Sequence, residues 1–410
     1  MPGFAALRQG DLFPFGFPMR SFANQTLGGA MDRHGGSGPG FDFLRLALAL
    51  AILYSHSFLA TGSKAGLANA VVNTVTGTDS SSYVHPEVVR LLLVPMFFAV
   101  SGFLVTGSAF RTQTVAKFMT FRILRIVPAL VTEVTLSALL LGPIFTTDRL
   151  RDYFTDVKFF AYFGNIIGRV RFELPGVFWT NPYPGIVNVN LWTLQPEFYC
   201  YLATAILLAT SLLVHRTIFT VLFAAVSVVL IGLNFAYGFG EPTANYPAAI
   251  VVYYFFCGSF LFHWRHLIPC NLGIFVLAVI GSALAIRRPD TILLSPLLIT
   301  YIIIYLGMVE FPRVPILQNG DYSYGIYLYG FPIQQALVAA LPALRGHGWE
   351  MLPLSVILTC ACAMVSWHFI EKPALRLKRL FETRSKTSAP VLATPLPTYD
   401  SAIAESVDNK

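Results

Sequence analysis

The sequence predicts an all-α fold, a polytopic bundle of about ten membrane-spanning helices, and three observations carry that prediction. Apolar stretches of about 20 residues recur along most of the chain, each long enough to cross a hydrocarbon core of about 30 Å. Of its 410 residues, 55% are hydrophobic and only 12% are charged, with a mean hydropathy of +0.63, well beyond ordinary globular composition. Alternation with a period of two, the mark of an outer-membrane barrel, is absent, and an unbroken apolar run such as Ile206 to Val214 has no place in a barrel strand.

The spans are expected near 41–60, 89–110, 124–145, 191–214, 217–237, 247–264, 271–287, 291–309, 323–343 and 351–371. An even count puts both termini on one side of the membrane. The inner segments then hold Arg111, Lys117, Arg122, Arg125, Arg216, Arg265 and Arg313, and the basic end of the last span adds Lys372, Arg376, Lys378 and Arg379. By the positive-inside rule that side is the cytoplasm. The same rule accounts for the net charge of +7, whose carriers are spread among loops and span ends, so nucleic-acid binding is not indicated.

Three domains are expected: an N-terminal cytoplasmic extension over 1–40, flexible and without the features of a signal peptide; a membrane-embedded region over 41–380; and a disordered cytoplasmic tail over 381–410. The five cysteines lie in or beside apolar segments without metal-ligand spacing and read as reduced thiols.

The first span carries two ionisable residues, Arg45 and His56. Eleven residues make about three turns, so both project from one face, roughly 16 Å apart along the axis. Such groups in lipid are costly and usually face a protein interior or a watery cavity. His56 reads as the chemical group and Arg45 as its support.

In the second span, VPMFFAVSGFLVTGS (Val94 to Ser108) places small residues among large apolar ones, a pattern that favours close helix packing or a narrow passage. At the start of the third, Arg122 and Arg125 are three apart and neighbours on one helix face. They suit either topology anchoring or a grip on phosphate, for which the guanidinium fork is matched. The long outer connection, about 146–190, contains LPGVFWTNPYP and reads as a lid or as an interfacial aromatic belt.

In NLWTLQPEFYCY, Glu197 lies inside a span and needs a partner: His56, Arg45 or an arginine of the third helix. In GDYSYGIYLYGFPIQQAL, Ser323, Tyr324, Tyr327, Tyr329, Gln334 and Gln335 could line a polar cavity, though tyrosines at a span end more often anchor at the interface. WHFIEKPALRLKR reads as a cytoplasmic stop, and His85, His215, His263, His266 and His347 need nothing beyond solvation. No metal site is expected, because no histidine or carboxylate pair stands at ligand spacing within a span.

Taken in order, these stretches resemble acyltransferase family 3, bacterial integral-membrane enzymes that O-acylate sugars and related molecules. The resemblance rests on the arginine and histidine of span one, the FFAVSGFL run, FRILRIVPAL, LWTLQPEF, SYGIYLYGFP and FIEKP. It implies an inner-membrane enzyme with acyl-CoA as cytoplasmic donor and a hydroxyl acceptor on an exported or lipid-linked glycan. It carries catalytic importance onto Arg45 and His56, with Glu197, Arg122 and Arg125 at further motif positions. One departure stands out: many relatives have a histidine before Phe-Pro in the late tyrosine-rich motif, where this chain has Gly330.

The expected reaction has His56 as general base on the acceptor hydroxyl, imidazole having an ordinary pKa of about 6.5. Arg45 positions the donor, acetyl-CoA or another short acyl-CoA, or supports the developing oxyanion. Arg122 and Arg125 hold the coenzyme phosphates. The rival reading is a transporter or flippase with an intramembrane proton relay, although no internal repeat favours it.

Overall fold

The computed structural model describes residues 25–63, 87–112, 114–237, 248–311 and 320–381. The expectations made for residues 1–24, His85, Arg313 and the tail from 382 onward lie outside the described residues.

Among the described residues the fold is helical, with isolated bridges but no strands. The helices are α1 (Leu27–Asp32), α2 (Phe41–Thr61), α3 (Glu87–Thr112), α4 (Val115–Leu136), α5 (Gly142–Phe145), α6 (Leu150–Thr155), α7 (Val157–Tyr162), α8 (Leu194–Ala209), α9 (Arg216–Tyr237), α10 (Ala248–His263), α11 (Leu272–Ile286), α12 (Ser295–Gly307), α13 (Ser323–Ala340), α14 (Gly348–Ser366) and α15 (Lys372–Arg376). A helix occupies each expected span. Six are long and apolar enough to cross a membrane, so the expected count of about ten is not reached on that criterion. The shortfall is one of length and polarity. The 16 residues each of α8 and α10 and the 15 of α11 rise only about 24, 24 and 22 Å, and α13 carries too many polar groups to pass as lipid-soluble.

The exterior is what lipid requires. Val221, Val228, Leu277, Ile357 and Phe369 are all more than half exposed, a distribution that would make a water-soluble monomer aggregate. Helix α9 is the extreme, with 11% of its apolar window buried.

Two packed units position the interior. In the first, α3 lies along α10. A Cβ on Gly102 would come within 1.8 Å of the Phe255 carbonyl oxygen, and one on Gly258 within 2.1 Å of that of Ala99. Gly102 of the second span therefore serves close packing, and Thr106 donates across the same seam to Ser259 at 2.9 Å, whereas Ser101, Gly107 and Ser108 of the same stretch line interior cavities. In the second unit, α2 runs parallel to α13, with α14 returning beside both. Gly330 belongs to this contact: a Cβ there would lie 2.7 Å from Cδ1 of Leu53.

Residues 25–40 are packed, not loose. Leu27 and Ala30 are fully buried, and the amides of Leu27 and Gly28 donate to the carbonyls of Ile268 and Arg265. Of the cysteines, Cys200, Cys257 and Cys270 are buried, Cys360 is partly so and Cys362 is exposed.

The long connection over 146–190, expected outside the membrane, packs into the bundle. Asn188 and Asn190 are buried and donate to the carbonyls of Leu328 (3.0 Å) and Tyr327 (2.5 Å), only about one turn into the 18-residue α13. Asn188 also donates to the buried Glu133 at 2.9 Å, which accepts from Ser137 as well. The segment is thus re-entrant, irregular backbone tolerated at this depth because protein surrounds it. Further out, Asn181 donates to the Gln335 carbonyl, and Gln335 donates to the carbonyls of Tyr183 and Ile186, at 2.7–2.9 Å. That exchange pins the LPGVFWTNPYP stretch onto α13.

Candidate active site

Four of the five expected site residues share one cavity. It has a volume of about 340 Å³, and Arg45 from α2, Arg122 and Arg125 from α4 and Glu197 from α8 line it. It penetrates as far as Phe97 and Val94 on α3 and Leu328 on α13. A helix gathers these groups because its periodicity returns Arg122 and Arg125 to one face. Glu197 lies in the first turn of α8, which the re-entrant segment starts inside the bundle.

The cavity is organised by an ion-pair network that the sequence reading did not single out. Arg45 Nη1 donates to Asp321 Oδ2 at 2.6 Å, Arg125 Nη2 donates to the same oxygen at 2.5 Å, and Arg125 Nη1 donates to Glu371 Oε2 at 3.2 Å. Ser323 Oγ donates to the other Asp321 oxygen at 2.6 Å, and Ser366 Oγ donates to Glu371 at 3.2 Å. Glu371 is held by a π-helical turn over Trp367–Glu371, a distortion common at functional sites. It also brings the Trp367 ring to 5.8 Å from the Arg125 guanidinium carbon.

Asp321 lies in the connection before α13. Burial alone would raise its carboxyl, but the guanidiniums of Arg45 and Arg125 outweigh burial and hold it well below the usual carboxylate range. Two guanidiniums and two carboxyl groups thus face one another, as a largely buried set of ionisable groups requires.

Arg122 is engaged differently. Its Nη2 donates to Ser108 Oγ at 3.0 Å, and its guanidinium carbon stands 5.8 Å from the Phe118 ring centroid and 5.9 Å from that of Tyr201. Tyr201 in turn donates to Glu197 Oε1 at 2.5 Å. Glu197 is therefore fixed on its own helix while facing the cavity's arginines. Of the late tyrosine-rich motif, Ser323, Tyr324 and Tyr327 line the cavity, whereas Gln334 and Gln335 are fully buried in packing contacts. Those tyrosines are interior groups and not interfacial anchors, because α13 is enclosed on its cavity side.

His56 stands apart. It does not line this cavity; its ring meets Phe331 edge-on at 5.4 Å, and Tyr183 of the pinned outer stretch meets the same ring at 5.9 Å. The cavity ends at Leu328, three residues and about 4.5 Å of helix rise before Phe331. Phe97 and Tyr327, with ring centroids 6.1 Å apart, stand at that boundary. The arginine cluster and the imidazole thus mark two ends of one helix, with aromatic side chains between.

Asp321 and Glu371 were the residues that sequence reasoning missed. The signal was available: the chain has only 21 acidic residues, and both lie at the margin of an apolar span.

Among the described residues the protein is an all-helical bundle with membrane-length apolar helices, a charged cavity in its interior and a histidine beyond that cavity, and its class is that of the integral-membrane acyltransferases. The chain belongs to acyltransferase family 3: the profile described as "Acyltransferase domain" matches residues 39–369. It is 29% identical over 348 residues to an O-acetyl transferase of Shigella phage Sf6, covering 81% of this chain and 94% of that protein. It is 26% identical over 386 residues to nodulation protein 10 of Rhizobium leguminosarum bv. viciae, covering 86% and 97%. No solved structure gives a significant match. The protein is an O-acyltransferase.

Proposed function

We propose that this protein moves an acetyl or other short acyl group from acyl-CoA, bound from the cytoplasm, to a hydroxyl of a sugar or exported glycan. The observation that carries the reading is the pairing of a charged cavity at one end of α2 with His56 at the other. The spacing of Arg45 and His56, roughly 16 Å along the helix, suits an extended arm whose phosphates stay at the inner mouth while its thioester reaches the imidazole.

In this reading His56 takes the proton of the acceptor hydroxyl. The oxygen attacks the thioester carbonyl carbon, the carbon–sulfur bond breaks, and the imidazolium returns the proton to the departing thiolate. Arg45 is too far along the helix to meet an oxyanion at His56, so it supports the inner cavity. Arg125 is committed to Asp321 and Glu371 and shapes that cavity, and the donor contact falls to Arg122. Glu197 balances the arginines' charge across the space. The bilayer is the bacterial inner membrane, the chain crosses it about ten times with both termini in the cytoplasm, and the acceptor approaches from the outer face under the pinned loop. The similarity to the phage O-acetyl transferase supports acetyl as the group.

The test is incubation of the purified protein with labelled acetyl-CoA and candidate glycans. Label on a glycan hydroxyl supports the reading. Glycan movement across a vesicle membrane without label transfer would replace it with transport.

A further inference from the structure

A second cavity, of about 500 Å³, adjoins the first at the inner end of the bundle, with Leu104, Arg122 and Lys378 lining both. Its other walls are Met31, Gly36 and Ser37 of the packed N-terminal segment, the α3 face ending at Arg111, and Lys117 and Phe121 of α4. Its charge differs from that of the first cavity. Arg45, Arg122, Arg125 and Lys378 are offset there by Asp321 and Glu197, whereas Arg111, Lys117, Arg122 and Lys378 line the second with no aspartate or glutamate among the described lining residues.

Four cations around one concavity repel each other, and the repulsion is relieved when a polyanion sits among them. Lysine ammoniums and arginine forks are the usual partners of phosphate oxygens. The aromatic residues of the wall add a flat apolar surface: Phe121 is already covered by the Lys378 ammonium at 5.3 Å from its ring centroid, and Phe262 lies beneath the Arg265 guanidinium at 4.1 Å. Arg122, oriented by its hydrogen bond to Ser108, stands at the throat between the two spaces.

We propose that this vestibule binds the phosphate-bearing nucleotide end of the donor, with Arg111, Lys117 and Lys378 as its phosphate contacts and Arg122 at the point where the thioester arm enters the bundle. The inference rests on the acyl-CoA reading above and adds three residues that the sequence offered only as topology-setting charges. Phosphate could also come from a lipid headgroup. The nucleotide is the favoured source because the space opens into the bundle interior through Arg122, where a donor must go and a headgroup has no reason to.

The experiment is titration of free coenzyme A and of dephospho-coenzyme A into the purified protein in nanodiscs, for wild type and for Arg111→Gln, Lys117→Gln and Lys378→Gln. Arg376→Gln, at the same end of the molecule but lining neither cavity, is the control for nonspecific charge. Each vestibule variant should weaken coenzyme A roughly tenfold, the scale of one charge-assisted hydrogen bond. It should raise the donor KM in step, and at least one should narrow the gap between coenzyme A and its dephospho form. Arg376→Gln should leave affinity as in wild type.

Unchanged coenzyme A affinity in all three variants, with label transfer still occurring, would overturn the vestibule assignment and leave the enzyme reading standing. If wild type binds neither compound and transfers no label, the acyl-CoA reading itself fails. If the variants lose retention of phosphatidylglycerol from mixed-lipid discs but keep coenzyme A affinity, the cations serve a headgroup and the proposal is wrong. Circular dichroism and gel-filtration profiles matching wild type confirm that any loss is one of binding and not of folding.

Discussion

Arg45 and Asp321 stand 276 positions apart in the chain and are joined by a 2.6 Å charge-assisted hydrogen bond, which fastens the first long helix to the start of α13. Arg125 shares the same carboxylate oxygen. One aspartate therefore ties three helices together at one end of the bundle.

Removing that carboxylate should be costly. Breaking a buried ion pair leaves uncompensated charge and costs about 3–5 kcal/mol, and the lower end applies because Asp321 retains 21% side-chain exposure. Asp321→Asn should lower the melting temperature of the detergent-solubilised protein and abolish transfer, and an unchanged melting curve would show that the network is not structural. The pH dependence has a definite sign. A carboxyl whose folded pKa is depressed contributes stability above its unfolded value, about 3.9, and loses it only as pH falls toward the folded value. The stability gap between wild type and Asp321→Asn should thus be constant from pH 7 to about 5 and begin to close only below about 4. Closure nearer neutrality would contradict the direction given for Asp321.

His56→Ala should abolish acyl transfer while membrane insertion and coenzyme A binding persist, because the imidazole lies beyond the cavity and touches Phe331, not the ion-pair network. General-base catalysis is worth about 10²–10⁴-fold. Turnover near wild type would remove the base from the mechanism.

The two neighbouring arginines should separate in phenotype. Arg122→Ala should raise the donor KM with little change in melting temperature, since its neutral partner Ser108 loses little. Arg125→Ala should do the reverse and destabilise the protein, because Asp321 and Glu371 lose a cation. Steady-state kinetics beside thermal unfolding decide this, and identical behaviour of the two variants would refute the division.

Between the charged cavity and His56 stand Phe97 and Tyr327. If the thioester passes here, Phe97→Trp should slow transfer strongly while leaving coenzyme A affinity intact. Wild-type transfer rates in that variant would place the route elsewhere.

The glycines make a contrasting pair. Gly102→Ala drives a Cβ into the backbone carbonyl of Phe255, and backbone cannot yield cheaply, so expression of folded protein should fall sharply. Gly330→Ala meets only the end of the Leu53 side chain, and alanine's better helix propensity, up to about 1 kcal/mol, offsets that contact. Near-wild-type stability is expected, and pulse proteolysis of both variants would test the difference.

Much of this was legible in the chain. Helix positions follow from apolar runs, and Arg45, Arg122, Arg125 and Glu197 could be picked out because charge inside such runs is expensive. Asp321 and Glu371 escaped notice because they sit at span margins, where acidic residues need no explanation. The tyrosines of α13 were misjudged for a related reason: position along a span says how deep a residue lies but not which way it faces.

By itself, the sequence determined that this is a helical membrane protein with a few costly ionisable groups, because burial in lipid is a local demand that each segment meets alone. Only the tertiary structure decided which of those groups meet. It gave Arg45 to Asp321 and set His56 beyond the cavity, because parallel packing of α2 on α13 fixes depth and facing together, and no periodicity within one segment contains that information.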